Sequence, residues 1–297
     1  MHFQVILNRD GGTLRTTDMK QFTAAIRTTL EGAGHTVDIE VMKGDGVEAA
    51  LDAAKACACD VVMVGGGDGT ISAAAARLKD TGKALAILPA GTMNLFARSL
   101  GIPLQLEEAL AALAEGRMRD VDVASANGRV FVHQFSVGLH AKLIRLRERQ
   151  TFRSRIGKIW ASLRAGSTAF FRPPRMRMEL DIDGTASTVA TAGIGISNNI
   201  FGEGHIPYTD TPDGGVLGVY VTRARRRRDL AFFVLNVALG RWRDNDKVAI
   251  HRAREVELTV LAGDERFGCA IDGELCDMER VTRLRVHPAC LKVLVPA

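Results

Sequence analysis

Along the first 120 residues, short strand-like apolar runs alternate with stretches whose apolar residues recur every three or four positions. Phe3 to Leu7 reads as a buried strand opening into the turn Asn8-Arg9-Asp10-Gly11-Gly12. From Asp18 to Gly32, Phe22, Ile26 and Leu30 stack at i, i+4 and i+8, which predicts a helix closed by glycines. Thr36 to Met42 predicts a second strand, and Val47 to Ala58 an Ala-rich helix. Asp60 to Val64 is a nearly continuous apolar strand of the kind covered on both faces. It runs straight into Gly65-Gly66-Gly67-Asp68-Gly69-Thr70 and a helix from Ile71 to Leu78. Ala84 to Leu88 is a fourth strand, followed by a loop from Pro89 to Asn94. This β-α repetition predicts an α/β unit with a doubly wound, mostly parallel sheet.

After Asp120 the pattern changes to period two with hairpin turns. Asn127-Gly128 and Asp183-Gly184 each separate two strand-like runs. Arg254 to Ala262, Phe267 to Ile271, Arg283 to His287 and Leu291 to Val295 continue as short strands. The second half is therefore predicted as an antiparallel β-sandwich, interrupted by helices near 138–170 and 226–239. With no Pro- or Ser-rich linker, the halves divide as 1–122 and 123–297 and pack across a cleft. A return of the last strand to the first unit is compatible with this pattern.

The chain has 297 residues, and hydrophobic residues make up 46% of it, enough for a substantial core. Net charge is only +5, but arginines outnumber lysines 30 to 9, and Arg is the better fork for phosphate oxygens. Five cysteines fit no disulfide framework, and Cys57-x-Cys59 lacks a second pair for zinc, so all five are expected as reduced thiols in a cytoplasmic protein. The start lacks a basic n-region, and the longest apolar stretch, Leu230 to Leu239, is about half of what crosses a bilayer. Neither a signal peptide nor a membrane span is expected. Two Trp and two Tyr give little for base stacking, and no nucleic-acid module is recognisable.

The glycine run after the third predicted strand is the informative constellation. Glycines let the backbone approach a ligand closely, and the following helix directs unpaired N–H groups toward it, an arrangement suited to phosphate. No Lys-Ser/Thr follows, so this is not a Walker A loop, and Asp68 interrupts any GxGxxG spacing. A carboxylate among phosphate-binding amides suggests a metal-nucleotide site. The alternative is a tight turn in which Asp68 merely caps the helix.

Gly66-Gly67-Asp68-Gly69-Thr70 resembles the GGDGT signature shared by NAD kinases, 6-phosphofructokinases and the diacylglycerol kinase/sphingosine kinase superfamily. Pro89-Ala90-Gly91-Thr92-Met93-Asn94-Leu95-Phe96-Ala97-Arg98 with Leu100-Gly101-Ile102-Pro103 is similar to the lipid-kinase run of that superfamily. Phe135 to Ala141, Asn198-Asn199, Phe201-Gly202, Pro207, Asp213-Gly214 and Asp272-Gly273-Glu274 continue the likeness in order. The resemblance implies an ATP-dependent lipid kinase with an NAD kinase/phosphofructokinase-like first domain. It would transfer a γ-phosphate to the primary hydroxyl of diacylglycerol or of a ceramide or sphingoid lipid.

Roles follow from the same resemblance. Asn8, Gly65, Gly66, Gly67, Asp68, Gly69, Thr70, Thr92 and Asn94 would bind ATP, and Asp68 with Asp122 would orient water and Mg²⁺. Glu274, with Asp272 beside it, would accept the proton of the lipid hydroxyl; read alone, Ile271 to Glu274 is equally an ordinary polar hairpin turn. Asp213, with backbone oxygens at Asp210 and Gly215, would match a structural cation site of the bacterial members. The chain departs from the family at Leu95, where Asp is usual, at Met42, where Thr is common, and at Asn8-Arg9-Asp10. An NAD kinase-like enzyme and a non-catalytic lipid- or nucleotide-binding regulator are the competing readings, Leu95 favouring the second.

Arg145 to Arg177 holds ten Lys/Arg and one acidic residue, Glu148. Phe152, Ile156, Ile159, Trp160 and Leu163 form a helical stripe, ringed by Arg153, Arg155, Lys158 and Arg164. Such a helix suits the surface of an anionic bilayer, with Arg153, Arg155, Lys158 and Trp160 as contacts; packing on the sandwich is the alternative. The expected location is peripheral, on the inner face of the membrane. The oligomeric state is open, a homodimer included.

Overall fold

The computed structural model describes residues 1–148, 176–204, 206–223, 236, 247–262 and 268–297. Arg153, Arg155, Lys158, Trp160, most of the 230–239 segment and Phe267 lie outside them.

The first unit alternates as the periodicity predicts. Its elements are β1 (His2–Asn8), α1 (Met19–Gly32), β2 (Thr36–Met42), α2 (Val47–Ala56), β3 (Val61–Gly66), α3 (Asp68–Leu78), β4 (Ala84–Pro89), α4 (Leu95–Ser99) and α5 (Leu106–Ala114). Strands pair in parallel in the order β2-β1-β3-β4. Every residue of β3 and β4 is buried, as expected for central strands covered on both faces. Helix α1 begins where Asp18 accepts hydrogen bonds from the Lys20 and Gln21 N–H groups, and buries Phe22, Ile26 and Leu30.

The second unit comprises β5 (Arg117–Ala126), β6 (Arg129–Phe131), β7 (Gln134–Gly138), α6 (Leu139–Glu148), β8 (Met176–Ile182), β9 (Thr185–Thr191), β10 (Gly193–Asn198), β11 (Leu217–Thr222), β12 (Val248–Ala253), β13 (Glu255–Ala262), β14 (Cys269–Ile271), β15 (Glu274–Cys276) and β16 (Val281–Val295). Strands β12-β11-β10-β7-β14-β15 form an antiparallel sheet. Strands β16, β13, β8 and β9 extend the first sheet beyond β4, and β5 pairs with β16. The fold is thus an α/β unit with a parallel sheet joined to an antiparallel sandwich. The Asn127-Gly128 and Asp183-Gly184 turns place both central residues at positive φ, the geometry that two-residue hairpins demand.

Arg283 to His287 and Leu291 to Val295 are parts of one strand, β16, broken by a register shift between His287 and Leu291. Leu284 and Val286 of its first half pack in the sandwich core, and Leu291, Val293, Leu294 and Val295 in the core of the parallel sheet. One strand thereby belongs to both cores.

The expectation of five reduced cysteines is corrected at one pair: Cys57 and Cys59 are joined by a disulfide. The backbone is extended at Cys57, where α2 ends, and the two Cα atoms lie 5.4 Å apart. Cys269, Cys276 and Cys290 are free thiols.

Candidate active site

Three turns meet beyond the C-terminal ends of β1, β3 and β4, where parallel sheets place their ligands. Their glycines are required by loop-to-loop contact. A Cβ on Gly12 would stand 2.1 Å from the Ala90 carbonyl oxygen, and one on Gly91 2.9 Å from the Gly67 Cα. Backbone bonds from Thr13 N–H to Ala90 and from Ala90 N–H to Gly66 tie the turns together. Gly65 and Gly66 belong to β3 itself. A Cβ on Gly65 would press on Leu7, and one on Gly66 on Thr70, so these two serve packing.

Helix α3 starts after Gly67 with no side-chain cap, so its first N–H groups have no partner from a capping residue. It borders a cavity of about 810 Å³ lined by Asn8, Gly11, Gly67, Gly69 and Thr70 from the first unit. The Asn8 amide donates to the Thr70 hydroxyl at 3.1 Å. From the second unit, Arg129, Ile271 and Glu274 close the same cavity.

Glu274 follows the two-residue turn Asp272-Gly273, both at positive φ. Its Oε1 lies 2.7 Å from where a Cβ on Gly69 would be. Its Oε2 accepts from the Arg129 guanidinium at 2.8 Å. The carboxylate thus stands over the start of α3. Arg77 also lines the cavity but is held by Glu48 and Asp52, at 2.9 and 2.8 Å. Arg129 and Ser72 carried no sequence signal beyond proximity to the Asn127-Gly128 turn and to the glycine run.

The other predicted carboxylates are engaged elsewhere. Asp68 accepts from Leu95 N–H at 2.7 Å and from Asn94 N–H at 3.1 Å, fastening the 91–95 turn to the glycine loop. Asn94, at positive φ, spends its amide on both backbone groups of Gly91. Thr92 is exposed and does not line the cavity. Asp122 is 1% exposed and accepts three N–H bonds, from the Asn199 side chain, Gly215 and Ala289.

Asp272 accepts from the Ser72 hydroxyl at 2.6 Å and from the backbone N–H groups of Val132, His133 and Gln134, each at 2.9 Å. Burial pushes its carboxyl up from the usual range, against the pull of those donors. The bond to Ser72 joins α3 directly to the hairpin that carries Glu274.

His133, beside Asp272, is 8% exposed and packs its ring tilted against Phe201, centroids 5.1 Å apart, while its buried Nε2 has no hydrogen-bond partner among the described residues. Burial, then the nearby His140, lowers its pKa to about 3. The native ring is therefore neutral. Its contribution is full above the ordinary value of 6.5 and is lost as pH falls toward 3. Between pH 6.5, where the unfolded ring is half protonated, and pH 4.5 this costs about 2 kcal/mol. Urea denaturation across that window is expected to show the loss, and His133→Asn to flatten the slope.

The residues present do not fit a preassembled magnesium site. Both oxygens of Asp68 take backbone N–H groups, Asp122 is buried and already accepts three, and Leu95 supplies no carboxylate. Asp210 packs on Gly202, Asp213 pairs with Arg119 at 2.8 Å, and Gly215 N–H donates to Asp122. Among the described residues, no group of three or more His, Cys, Asp or Glu could hold a metal ion.

Glycine turns at the ends of parallel strands, facing a carboxylate from an antiparallel sandwich, define a two-lobed protein with a cleft between its lobes. Similarity to known proteins defines the class more closely. Residues 2–126 match the diacylglycerol kinase catalytic domain, and residues 134–295 match the YegS C-terminal NAD kinase beta sandwich-like domain. The chain belongs to this family of lipid-kinase-like proteins. It is 26% identical over 245 residues to "Uncharacterized protein sll0036" of Synechocystis, covering 79% of this chain and 54% of that protein. It is 38% identical over 116 residues to "Probable lipid kinase YegS-like" of Klebsiella pneumoniae, covering 38% and 39% of the two chains. The chain thus spans about half or less of the length of these relatives. A crystal structure of a diacylglycerol kinase from Bacillus anthracis shares the fold, with TM-score 0.72, 16% identity and coverage of 99% and 96%.

Proposed function

We propose that this protein is an ATP-dependent phosphotransferase acting on the primary hydroxyl of a membrane lipid, diacylglycerol or a ceramide or sphingoid lipid. The observation that carries the reading is Glu274 Oε1 against Gly69, a carboxylate of one lobe set over the helix start of the other. The triphosphate lies along Gly11, Gly67 and the first turn of α3, whose N–H groups take its charge. Asn8 and Thr70, already bonded to each other, border that path. Glu274 accepts the proton of the lipid hydroxyl as its oxygen attacks the γ-phosphate in line. Arg129 is a positioning residue that holds Glu274 and faces the transferred charge. Asp272 fixes the hairpin, and Asp122 fixes the junction of the lobes. Leu95 leaves the fastening of the glycine loop intact, because what it gives Asp68 is a main-chain N–H that any residue but proline supplies.

The lipid is met at the membrane surface, with Arg153, Arg155, Lys158 and Trp160 as the contact and the inner leaflet as its place. Among the described residues, no helix is long and apolar enough to cross a membrane. Incubation with labelled ATP and a panel of diacylglycerol, ceramide, sphingosine, phosphatidylglycerol and NAD tests the reading. Label in a lipid alcohol is expected. Label only in NAD would move the protein to the NAD kinases, and none in any acceptor would make it a binding protein.

A further inference from the structure

Behind the turn that carries Glu274, Cys269 and Cys276 stand directly opposite each other in the β14–β15 ladder. Their sulfurs are 2.7 Å apart. Opposed residues of an antiparallel pair have Cα atoms about 4.5–5.5 Å apart, inside the roughly 4.4–6.8 Å that a disulfide spans. Closing to a bond near 2.0 Å needs an approach of about 0.7 Å and no change of register. Cys290, by contrast, points its thiol at the His287 carbonyl.

We infer that Cys269 and Cys276 are a reversible dithiol–disulfide site that clamps the hairpin carrying Glu274. Cys269 is 3% exposed and Cys276 half-buried, so an oxidant reaches Cys276 first. Burial and the neighbouring thiol push Cys269 up to about 12, which keeps it protonated until it reacts. The Cys276 thiolate attacks a small disulfide such as oxidised glutathione, breaking its S–S bond and releasing one thiolate. The Cys269 sulfur then attacks the Cys276 sulfur, expels the second thiolate and gives up its proton to it. The protein loses two electrons and two protons, and the small disulfide becomes two thiols. This inference stands on strand register and sulfur spacing, independently of the phosphotransferase reading.

The test uses the full chain, reduced and then equilibrated with graded ratios of oxidised to reduced glutathione before blocking with N-ethylmaleimide. Trypsin releases residues 267–280 as one peptide containing both cysteines. As the buffer becomes more oxidising, this peptide is expected to pass from two maleimide adducts to none and to become lighter by two hydrogens, reversibly. In Cys269→Ser, Cys276 is expected to carry one glutathione. Persistence of both adducts where Cys57–Cys59 is oxidised, or a bond from either cysteine to any other, overturns the site. An unmodified Cys276 in the Ser variant overturns the assigned order of attack.

Discussion

Glutamine in place of Glu274 is expected to lower kcat by about 10²–10⁴-fold, the range that a positioned general base contributes, with KM for ATP little changed. The argument rests on where the side chain stands. A lipid alcohol is a weak nucleophile at neutral pH, and phosphoryl transfer depends on holding it in line and taking its proton. Glutamine keeps the length and the contact with Gly69 but cannot accept that proton. It also dissolves the ion pair with Arg129. Arg129→Ala separates the two contributions. It leaves the base in place but unheld, so KM for ATP should rise together with a smaller fall in kcat, and Lys at 129 should recover part of both. Initial rates with labelled ATP and lipid in mixed micelles measure these changes. Full turnover by Glu274→Gln would remove this residue from the chemistry and leave only its fold-level resemblance.

The parallel half was legible because its strands are buried on both faces. Nothing but a central strand accounts for Asp60 to Val64 running into glycines, and β3 is buried throughout. The two-residue turns were legible for a similar local reason, since Asn-Gly and Asp-Gly supply positive φ at both positions. The unity of β16 was not. His287, Pro288 and Ala289 interrupt the alternation, and only pairing with β5 on both sides of the bulge carries the strand through.

At the site, Glu274 was reached through resemblance, and Arg129 was missed because its partner lies 145 residues away. Asp68, Asp122 and Asp272 show how a motif hides its physics. In sequence, a carboxylate that awaits a ligand and one already held by protein donors look the same, and the donors come from distant segments. The Cys269 and Cys276 pair did leave a trace. The two are placed symmetrically about Asp272-Gly273, which a two-residue turn converts into cross-strand neighbours.

Asp122→Ala is expected to destabilise the protein by about 3–9 kcal/mol, because it strands three N–H donors at about 1–3 kcal/mol each. Those donors come from three places. The Asn199 side chain and Gly215 flank the loop before β11, and Ala289 sits at positive φ in the bulge of β16. The backbone joins in, with Asp122 N–H donating to Pro212 and its carbonyl accepting from the Asn198 side chain. Asp122 is thus where the strand shared by both cores is fastened to the sandwich. A loss of this size is a large share of the roughly 5–15 kcal/mol that a domain has. At about 2–4 °C per kcal/mol for a chain of this size, the melting midpoint should fall by at least about 6 °C. The fall should be equal in EDTA and in excess Mg²⁺, since the carboxylate's partners are N–H groups. A variant with the parental midpoint whose activity has become insensitive to Mg²⁺ would instead make Asp122 a ligand. Paired with Glu274→Gln, which should lower turnover at an unchanged midpoint, Asp122→Ala divides the family's acidic residues into one that reacts and one that holds the lobes together.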